Sequence, residues 1–144
     1  MLQKNVIAVV DDDAGIRGAL EGLLASWGYG VELYGSAEEF IRASTSSAAA
    51  CLLVDIQLGD VSGVELGRHL ASSGFTFPII FVTGSQDELF RRQALDVGCI
   101  AYLLKPLKTR QLKEAIDLAI GQSDRDNGVG TPCFIERLRP GETK

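Results

Sequence analysis

The sequence contains little of what builds a zinc site or a disulfide framework: three cysteines and one histidine in 144 residues. Cys51, Cys99 and Cys133 are widely separated, and none belongs to a Cys-x-x-Cys pair. His69 has no metal-binding neighbour in the sequence. We therefore expect neither a zinc site nor a set of disulfides. Cys51 and Cys99 lie among apolar residues, which predicts that both are small core side chains.

Positive charge and long hydrophobic runs are also scarce. The chain has 14 lysines and arginines against 19 aspartates and glutamates, a formal net charge of -5, which argues against nucleic acid as a direct partner. No apolar run approaches the roughly 18 residues of a membrane span. Residues 1–5 lead straight into a short apolar run, without the pattern of a signal peptide. We therefore expect a cytoplasmic chain that has no membrane partner.

Short apolar runs are what the sequence does contain, and they recur along the chain. Continuous apolar runs of this length are typical of strands that are buried on both faces of a parallel sheet. Four such runs cover residues 6–10, 51–54, 79–82 and 101–104, and residues 31–34, which Glu32 interrupts, are predicted to form a further strand.

Segments with helical spacing separate these runs. The apolar residues after the first run recur every three or four positions, as on the buried face of a helix; they are Ile16, Leu20, Leu23, Leu24 and Trp27. Ser36 and Glu39 have the spacing of a capping box that opens the second helix, and Thr109 is a candidate cap for the last. Strands and helices thus alternate in about five units, which predicts an α/β fold: a doubly wound, five-stranded parallel sheet with helices on both faces.

The alternating pattern ends near residue 121. Glycine and proline interrupt the polar residues 122–144, which is typical of a linker or tail. We therefore divide the chain into one domain, residues 1–121, and a tail, residues 122–144. An apolar island within the tail is a candidate for docking on the domain, at a place that the sequence does not specify; it comprises Cys133, Phe134 and Ile135, with Leu138 nearby.

Charged and hydroxyl side chains follow the predicted strands. The carboxyl ends of parallel strands lie at one edge of a sheet, so we expect the residues that follow these strands to converge: Asp11, Asp12 and Asp13, then Asp55, Thr83 and Lys105. Two like charges about 4 Å apart repel by roughly 4 kcal/mol at an effective dielectric constant near 20. The carboxylates therefore need a cation besides Lys105, and Mg²⁺ prefers such oxygen ligands. A site balanced in this way can accept a phosphoryl group, with Asp55 as the nucleophile.

Four segments, in this order, resemble the receiver domain of bacterial two-component response regulators: Val9-Val10-Asp11-Asp12-Asp13, Val54-Asp55 through Gly63, Val82-Thr83-Gly84 and Lys105-Pro106. The resemblance covers residues 5–121 and implies the flavodoxin-like, CheY-like fold. It also implies the function of a phosphoacceptor module. Asp55 would take a phosphoryl group from the phosphohistidine of a sensor histidine kinase or phosphotransfer protein in a Mg²⁺-dependent reaction, and slow autodephosphorylation would follow.

The resemblance implies which residues hold the metal. Asp11 and Asp12 look like the acidic pair that positions Mg²⁺, with Asp12 the preferred direct ligand. Asp55 would serve both as a ligand and as the phosphorylated residue, and the main-chain carbonyl of Gln57 would complete the set. No other cofactor is expected.

The same resemblance assigns the remaining site residues. Thr83 would hydrogen-bond a phosphoryl oxygen, and Lys105 would pair with the phosphate, so that these two act with Asp55 in catalysis. The bond between Lys105 and Pro106 is cis in the family, a geometry realistic only before proline. Thr83 and Tyr102 would shift together on activation and change a protein surface.

One segment departs from the family pattern. The family often has Met-Pro where this chain has Leu58 and Gly59. Glycine lacks the fixed φ of proline, so we expect the loop after Asp55 to be more mobile.

Two other functions remain open from the sequence. One is a Mg²⁺-dependent aspartyl-phosphate phosphatase, because Asp11 and Asp13 have its Asp-x-Asp spacing, although the rest of its pattern is missing. The other is a receiver-like interaction module that is never phosphorylated, against which the complete set of site residues argues. Asp13 also has a simpler interpretation as the N-cap of the first helix.

Partners follow from the family resemblance. The face formed by residues 86–120 is commonly used in the family for dimerisation or effector contact. A homodimer through this face is therefore one of the arrangements that the resemblance allows. The kinase partner would meet the first helix near Gly15, Ile16 and Ala19. The chain is expected to catalyse only its own phosphorylation and dephosphorylation and to act on no other substrate.

Overall fold

The computed structural model describes residues 5–59, 61–84, 87–125 and 134–135. Strands and helices alternate through them, as the apolar pattern predicts. Gln86, Cys133 and Leu138 lie outside the described residues, as does most of the tail. The elements are β1 (Val6–Val10), α1 (Ala14–Ser26), β2 (Gly30–Tyr34), α2 (Ala37–Ala43), β3 (Ala49–Asp55), α3 (Gly63–Ser72), β4 (Ile79–Thr83), α4 (Glu88–Val97), β5 (Ala101–Leu104), α5 (Thr109–Arg125) and β6 (Phe134–Ile135).

All the strands pair in parallel, in the order β2-β1-β3-β4-β5-β6. Because β1 lies between β2 and β3, the chain builds the sheet in one direction and then reverses. This reversal is the switch point of a doubly wound sheet, where ligands bind beyond the carboxyl ends of the strands. The predicted five-stranded sheet is confirmed. A two-residue strand, β6, extends it at the outer edge of β5.

The core consists of two layers, one on each face of the sheet. Helices α2, α3 and α4 contribute to one layer, whereas α1 and α5 contribute to the other. Successive strand residues alternate between the layers, so Val54 belongs to the first and Leu53 to the second. Both faces are therefore buried, which explains why the strands read as continuous apolar runs. Cys51 and Cys99 are buried within these layers, as predicted.

Side-chain caps fix where two of the helices begin. Ser36 caps α2, since its Oγ accepts a hydrogen bond from the Glu39 amide at 3.1 Å. In the predicted capping box, the Glu39 carboxylate would accept a hydrogen bond from the Ser36 amide. It accepts one from the Gly35 amide instead, at 2.8 Å. A full capping box occurs instead at α3, between Ser62 and Glu65, where it satisfies two amides that the helix leaves unpaired.

The starts of the last two helices are also defined by the structure. Asp87 caps α4 by accepting a hydrogen bond from the Leu89 amide at 2.8 Å. Thr109 is the first residue of α5 rather than its cap, so that prediction is wrong. α5 continues to Arg125, and the division of the chain at residue 121 stays a prediction. Within the described part of the chain, no helix is both long and apolar enough to cross a membrane.

Candidate functional site

The predicted site residues lie where four strands end at one edge of the sheet. Asp11 follows β1, and Asp55 and Thr83 are the last residues of β3 and β4. Lys105 follows β5. The parallel register brings these ends level, because Asp55 pairs with Val82 and Thr83 is opposite the residue that precedes Lys105. Residues up to 94 positions apart in sequence thus reach one pocket because the strands are parallel.

Three carboxylates form the acidic part of the site. Oxygen atoms of Asp11, Asp12 and Asp55 lie within 4.8 Å of one another. Asp11 and Asp55 retain only 3% and 7% of their exposure, whereas Asp12 is open to solvent. Mg²⁺ usually binds through one or two carboxylates and keeps several waters. Two buried oxygen donors beside one exposed donor fit that preference.

Main-chain amides hold the two buried carboxylates in place. Asp11 Oδ1 accepts a hydrogen bond from the Asp13 amide, and Asp55 Oδ1 accepts one from the Gln57 amide, each at 2.9 Å. The bond from the Gln57 amide favours the charged form of Asp55 and by itself lowers its pKa. The two bonds leave the Oδ2 atoms directed toward Lys105.

Lys105 is the cation of the site. Its Nζ lies 3.1 Å from Asp55 Oδ2 and 3.5 Å from Asp11 Oδ2. Burial by itself lowers the pKa of Lys105, but the hydrogen bond and charge of Asp55, together with Asp11, outweigh it, so the pKa of the ammonium is raised. Lys105 therefore stays protonated at neutral pH and neutralises one of the three carboxylates.

The fold disfavours the negative charge of Asp55. Burial raises its pKa, and the nearby charge of Asp11 acts in the same direction. The Gln57 amide and Lys105 oppose this rise without cancelling it. Burial disfavours the charged form of such a carboxylate. Another cation or a neutralising ligand that binds beside it would therefore stabilise the charged form.

Thr83 and Tyr102, the two residues of the predicted switch, are both buried. Thr83 is fully buried at the end of β4, and its main-chain oxygen accepts a hydrogen bond from the Lys105 amide at 2.8 Å. Tyr102 is 4% exposed. Its hydroxyl has no hydrogen-bond partner within the described part of the chain, and burial raises its pKa to about 12. A buried hydroxyl without a partner is destabilising, which favours another position of the ring in which the hydroxyl gains one.

The loop after Asp55 folds back to the start of α3. The Ile56 amide donates to the Val82 oxygen at 2.9 Å, and the Gly63 amide donates to the Ile56 oxygen at 2.8 Å. Gly59 lies between them with φ +89°. Gln57 contributes its amide to Asp55, and its predicted role as a carbonyl ligand of the metal stays a prediction.

Two further residues, Asp13 and Arg17, form hydrogen bonds next to the acidic edge. Asp13 caps α1 by accepting hydrogen bonds from the Gly15 and Ile16 amides, which confirms its simpler interpretation. Arg17, which the sequence did not single out, donates to the main-chain oxygen of Asp11 at 2.7 Å. Arg17 lies one turn into α1, and this position in the sequence is the signal that could have predicted its contact with the Asp11 backbone. The arginine anchors the backbone that carries the first carboxylate.

The fold and this edge define a class: doubly wound α/β domains with an acidic, lysine-containing pocket at the carboxyl ends of their strands. Residues 7–117 match the model of one family, the response regulator receiver domain. The chain belongs to this family, whose members are the phosphoacceptor modules of two-component signalling.

Curated relatives agree with the family assignment. The chain is 33% identical over 124 residues to the transcriptional regulatory protein FixJ of Bradyrhizobium diazoefficiens, covering 86% of this chain and 60% of FixJ. It is 35% identical over 118 residues to the response regulator protein TmoT of Ectopseudomonas mendocina, covering 82% of this chain and 54% of TmoT. The chain thus spans little more than half the length of these relatives.

Solved structures show the same fold. A crystal structure of FixJ-N matches with a TM-score of 0.77 at 29% identity, over 89% of this chain and 100% of that one. A CheY-like receiver domain protein from Methanospirillum hungatei matches with a TM-score of 0.81 at 28% identity, over 87% of this chain and 100% of that one.

Proposed function

We propose that Asp55 is the phosphoacceptor of this receiver domain. It would take the phosphoryl group from a phosphohistidine on a sensor histidine kinase or phosphotransfer protein. The observation that carries this proposal is the position of Lys105, whose ammonium lies 3.1 Å from Asp55 within a cluster of three carboxylates. That arrangement places a nucleophilic oxygen next to a positive charge, which would stabilise the negative charge of the phosphoryl oxygens.

In the transfer, an oxygen of the Asp55 carboxylate attacks phosphorus, the bond from phosphorus to the donor nitrogen breaks, and the imidazole leaves and takes up a proton. Lys105 moves its interaction from the carboxylate to the phosphoryl oxygens. The Thr83 hydroxyl donates a hydrogen bond to one of these oxygens. Because the transition state spreads charge over the phosphoryl oxygens, such positioned donors act mainly by electrostatic stabilisation.

Asp11, Asp12 and Asp55 are the residues that would hold Mg²⁺, together with the main-chain oxygen of Gln57. Bound there, the ion supplies positive charge to the carboxylates and to the phosphoryl oxygens. Asp12, the exposed member, offers the metal an oxygen that is open to solvent. Arg17 and the Asp13 amide keep Asp11 oriented for this task.

Phosphorylation is read out on the face formed by residues 86–120. Thr83 would move toward the phosphoryl group, and Tyr102, which lies on the neighbouring strand, would shift together with it. The result would be a changed surface for a second copy of the chain or for an effector. Dephosphorylation by water returns free phosphate and the Asp55 carboxylate. The domain works in the cytoplasm and acts on no substrate other than itself.

The test is phosphorylation of the whole chain by acetyl phosphate with Mg²⁺, followed by intact-mass measurement. We expect wild type to gain one phosphoryl group and Asp55→Asn to gain none. Asp96→Asn, which changes an exposed aspartate on α4, is the matched control and should be labelled like wild type. Equal labelling of Asp55→Asn would show that the acceptor lies elsewhere.

The same samples separate the two alternative functions. Repeated turnover of a small phosphate ester would support an aspartyl-phosphate phosphatase, against which the use of Asp13 as a helix cap argues. No labelling, together with no Mg²⁺ binding in a calorimetric titration, would support a receiver-like module that is never phosphorylated.

A further inference from the structure

The outer edge of β5 is the place where this sheet differs from the predicted five-stranded one. β5 pairs with β4 on one side only, so without β6 its other side would present unpaired main-chain amides and carbonyls. Exposed edges of this kind attract further strands. Here the chain itself supplies the additional strand, because Phe134 and Ile135 pair in parallel with Ala101 and Tyr102.

The connection has the form of another β-α unit. A parallel neighbour cannot be reached by a tight turn and needs a crossover, usually a helix. α5 is the helix between β5 and β6, and 8 residues, 126–133, separate its last residue from Phe134. Phe134 and Ile135, the two described residues of the apolar island, therefore join the sheet as a sixth strand.

We propose that β6 is an intramolecular strap: it occupies the edge of β5 and thereby closes the face formed by residues 86–120 to a second copy of the chain. The closing effect rests on the proposed function, in which this face takes a partner. The pairing of β6 does not depend on it. The strap is short enough to be displaced, since two residues are fewer than the usual 3–10 of a strand.

Two further observations favour closure of this particular face. α4 carries Leu89 and Leu95, which are 54% and 37% exposed and are two of the three large exposed hydrophobic side chains of the described residues. Exposed apolar side chains on a helix and an unpaired strand edge each favour association. The register also pairs Ile135 with Tyr102, the residue that we propose moves on activation, so a change at Tyr102 alters the strand that holds the strap.

The pairing is tested by hydrogen exchange of the whole, unphosphorylated chain, resolved to single amides. The double variant Phe134→Pro/Ile135→Pro removes both amide donors of β6. We expect the β5 amides that face away from β4 to exchange about tenfold faster in this variant than in wild type. The matched control, Glu142→Pro/Thr143→Pro, places two prolines outside the paired segment and should exchange like wild type.

Equal exchange in wild type and the β6 variant would overturn the strap. Protection that increases with protein concentration would also overturn it, because the strand would then come from a second copy. Neither outcome involves Asp55, so failure here is distinct from failure of the proposed phosphoacceptor. Unchanged labelling by acetyl phosphate verifies that the variant retains its fold.

Closure is tested by sedimentation of the same proteins with Mg²⁺ and beryllofluoride, an analogue of the phosphoryl group. We expect the β6 variant to dimerise with a dissociation constant at least about threefold lower than that of wild type, and the control to match wild type. Equal dimerisation, or no dimer in either protein, would overturn the closure, while the exchange experiment still decides whether β6 is paired.

Discussion

Gly63 lies so close to Asp55 that a β-carbon at position 63 would sit 2.5 Å from the Asp55 main-chain oxygen. It would also sit 2.9 Å from the Ile56 Cα. Both neighbours are backbone atoms, which cannot rotate away. The first turn of α3 is therefore in contact with the chain that carries the proposed phosphoacceptor, and only glycine permits this approach.

Gly63→Ala should therefore destabilise the domain, by about 1–3 kcal/mol, because the methyl group displaces backbone at the site. The measurement is the free energy of unfolding in urea. Gly18→Ala is the matched control: Gly18 is an exposed glycine within α1 with no atom near its β-position. This control should gain about 0.5–1 kcal/mol, since alanine favours a helix more than glycine does. Equal effects of the two variants would contradict the close approach.

Asp55→Asn should unfold at a higher urea concentration than wild type when Mg²⁺ is absent. Burial raises the pKa of Asp55, so the fold disfavours the charge that asparagine removes. The folded pKa lies above the ordinary value of 3.8, so the folded state holds the proton more tightly and stability falls as pH rises between the two pKa values. The advantage of asparagine should therefore vanish at pH values below 3.8 and be complete above the folded pKa.

Mg²⁺ should make wild type more stable than Asp55→Asn. At a free concentration of about 100 times its dissociation constant, a ligand that binds only the folded state adds about 2.7 kcal/mol. Wild type should gain this stability, and Asp55→Asn should gain less because it lacks one of three clustered carboxylates. Urea unfolding with and without Mg²⁺ checks both statements. An equal gain in both proteins would place the ion away from Asp55.

The sequence predicted the sheet and the site for one physical reason. Strands buried on both faces appear as continuous apolar runs, and parallel strands end at one edge, so the residues after Val10, Val54 and Leu104 had to meet. No distance was needed to infer that Asp11, Asp55 and Lys105 converge.

Features that depend on a single contact left no such repeated pattern. The hydrogen bond from Arg17 to the Asp11 carbonyl is one contact, for which the only sequence signal is the position of Arg17 one turn into α1. The pairing of Phe134 and Ile135 with β5 involves two residues in a segment rich in glycine and proline. The apolar island indicated that something docks, but only the register defines where.

Gly59→Pro should weaken the domain although it introduces the residue that the family often has. Gly59 has φ +89°, whereas the proline ring fixes φ near −65°. The substitution must remodel the loop between Leu58 and the start of α3, and we expect a loss of about 1–3 kcal/mol in urea unfolding. Gly59→Asn should lose less, because asparagine tolerates positive φ better than most residues. If Gly59→Pro is as stable as wild type, the loop can adopt the family geometry.

Tyr102→Phe should leave stability unchanged or raise it by up to about 1–2 kcal/mol, because the buried Tyr102 hydroxyl lacks a partner among the described residues. Tyr34→Phe is the matched comparison. The Tyr34 hydroxyl donates to Glu32 at 2.9 Å, and its loss should cost about 0.5–1.5 kcal/mol. Urea unfolding of both variants measures the difference. A larger loss for Tyr102→Phe than for Tyr34→Phe would mean that the Tyr102 hydroxyl is satisfied in the resting domain, which would remove the physical reason for its movement on activation.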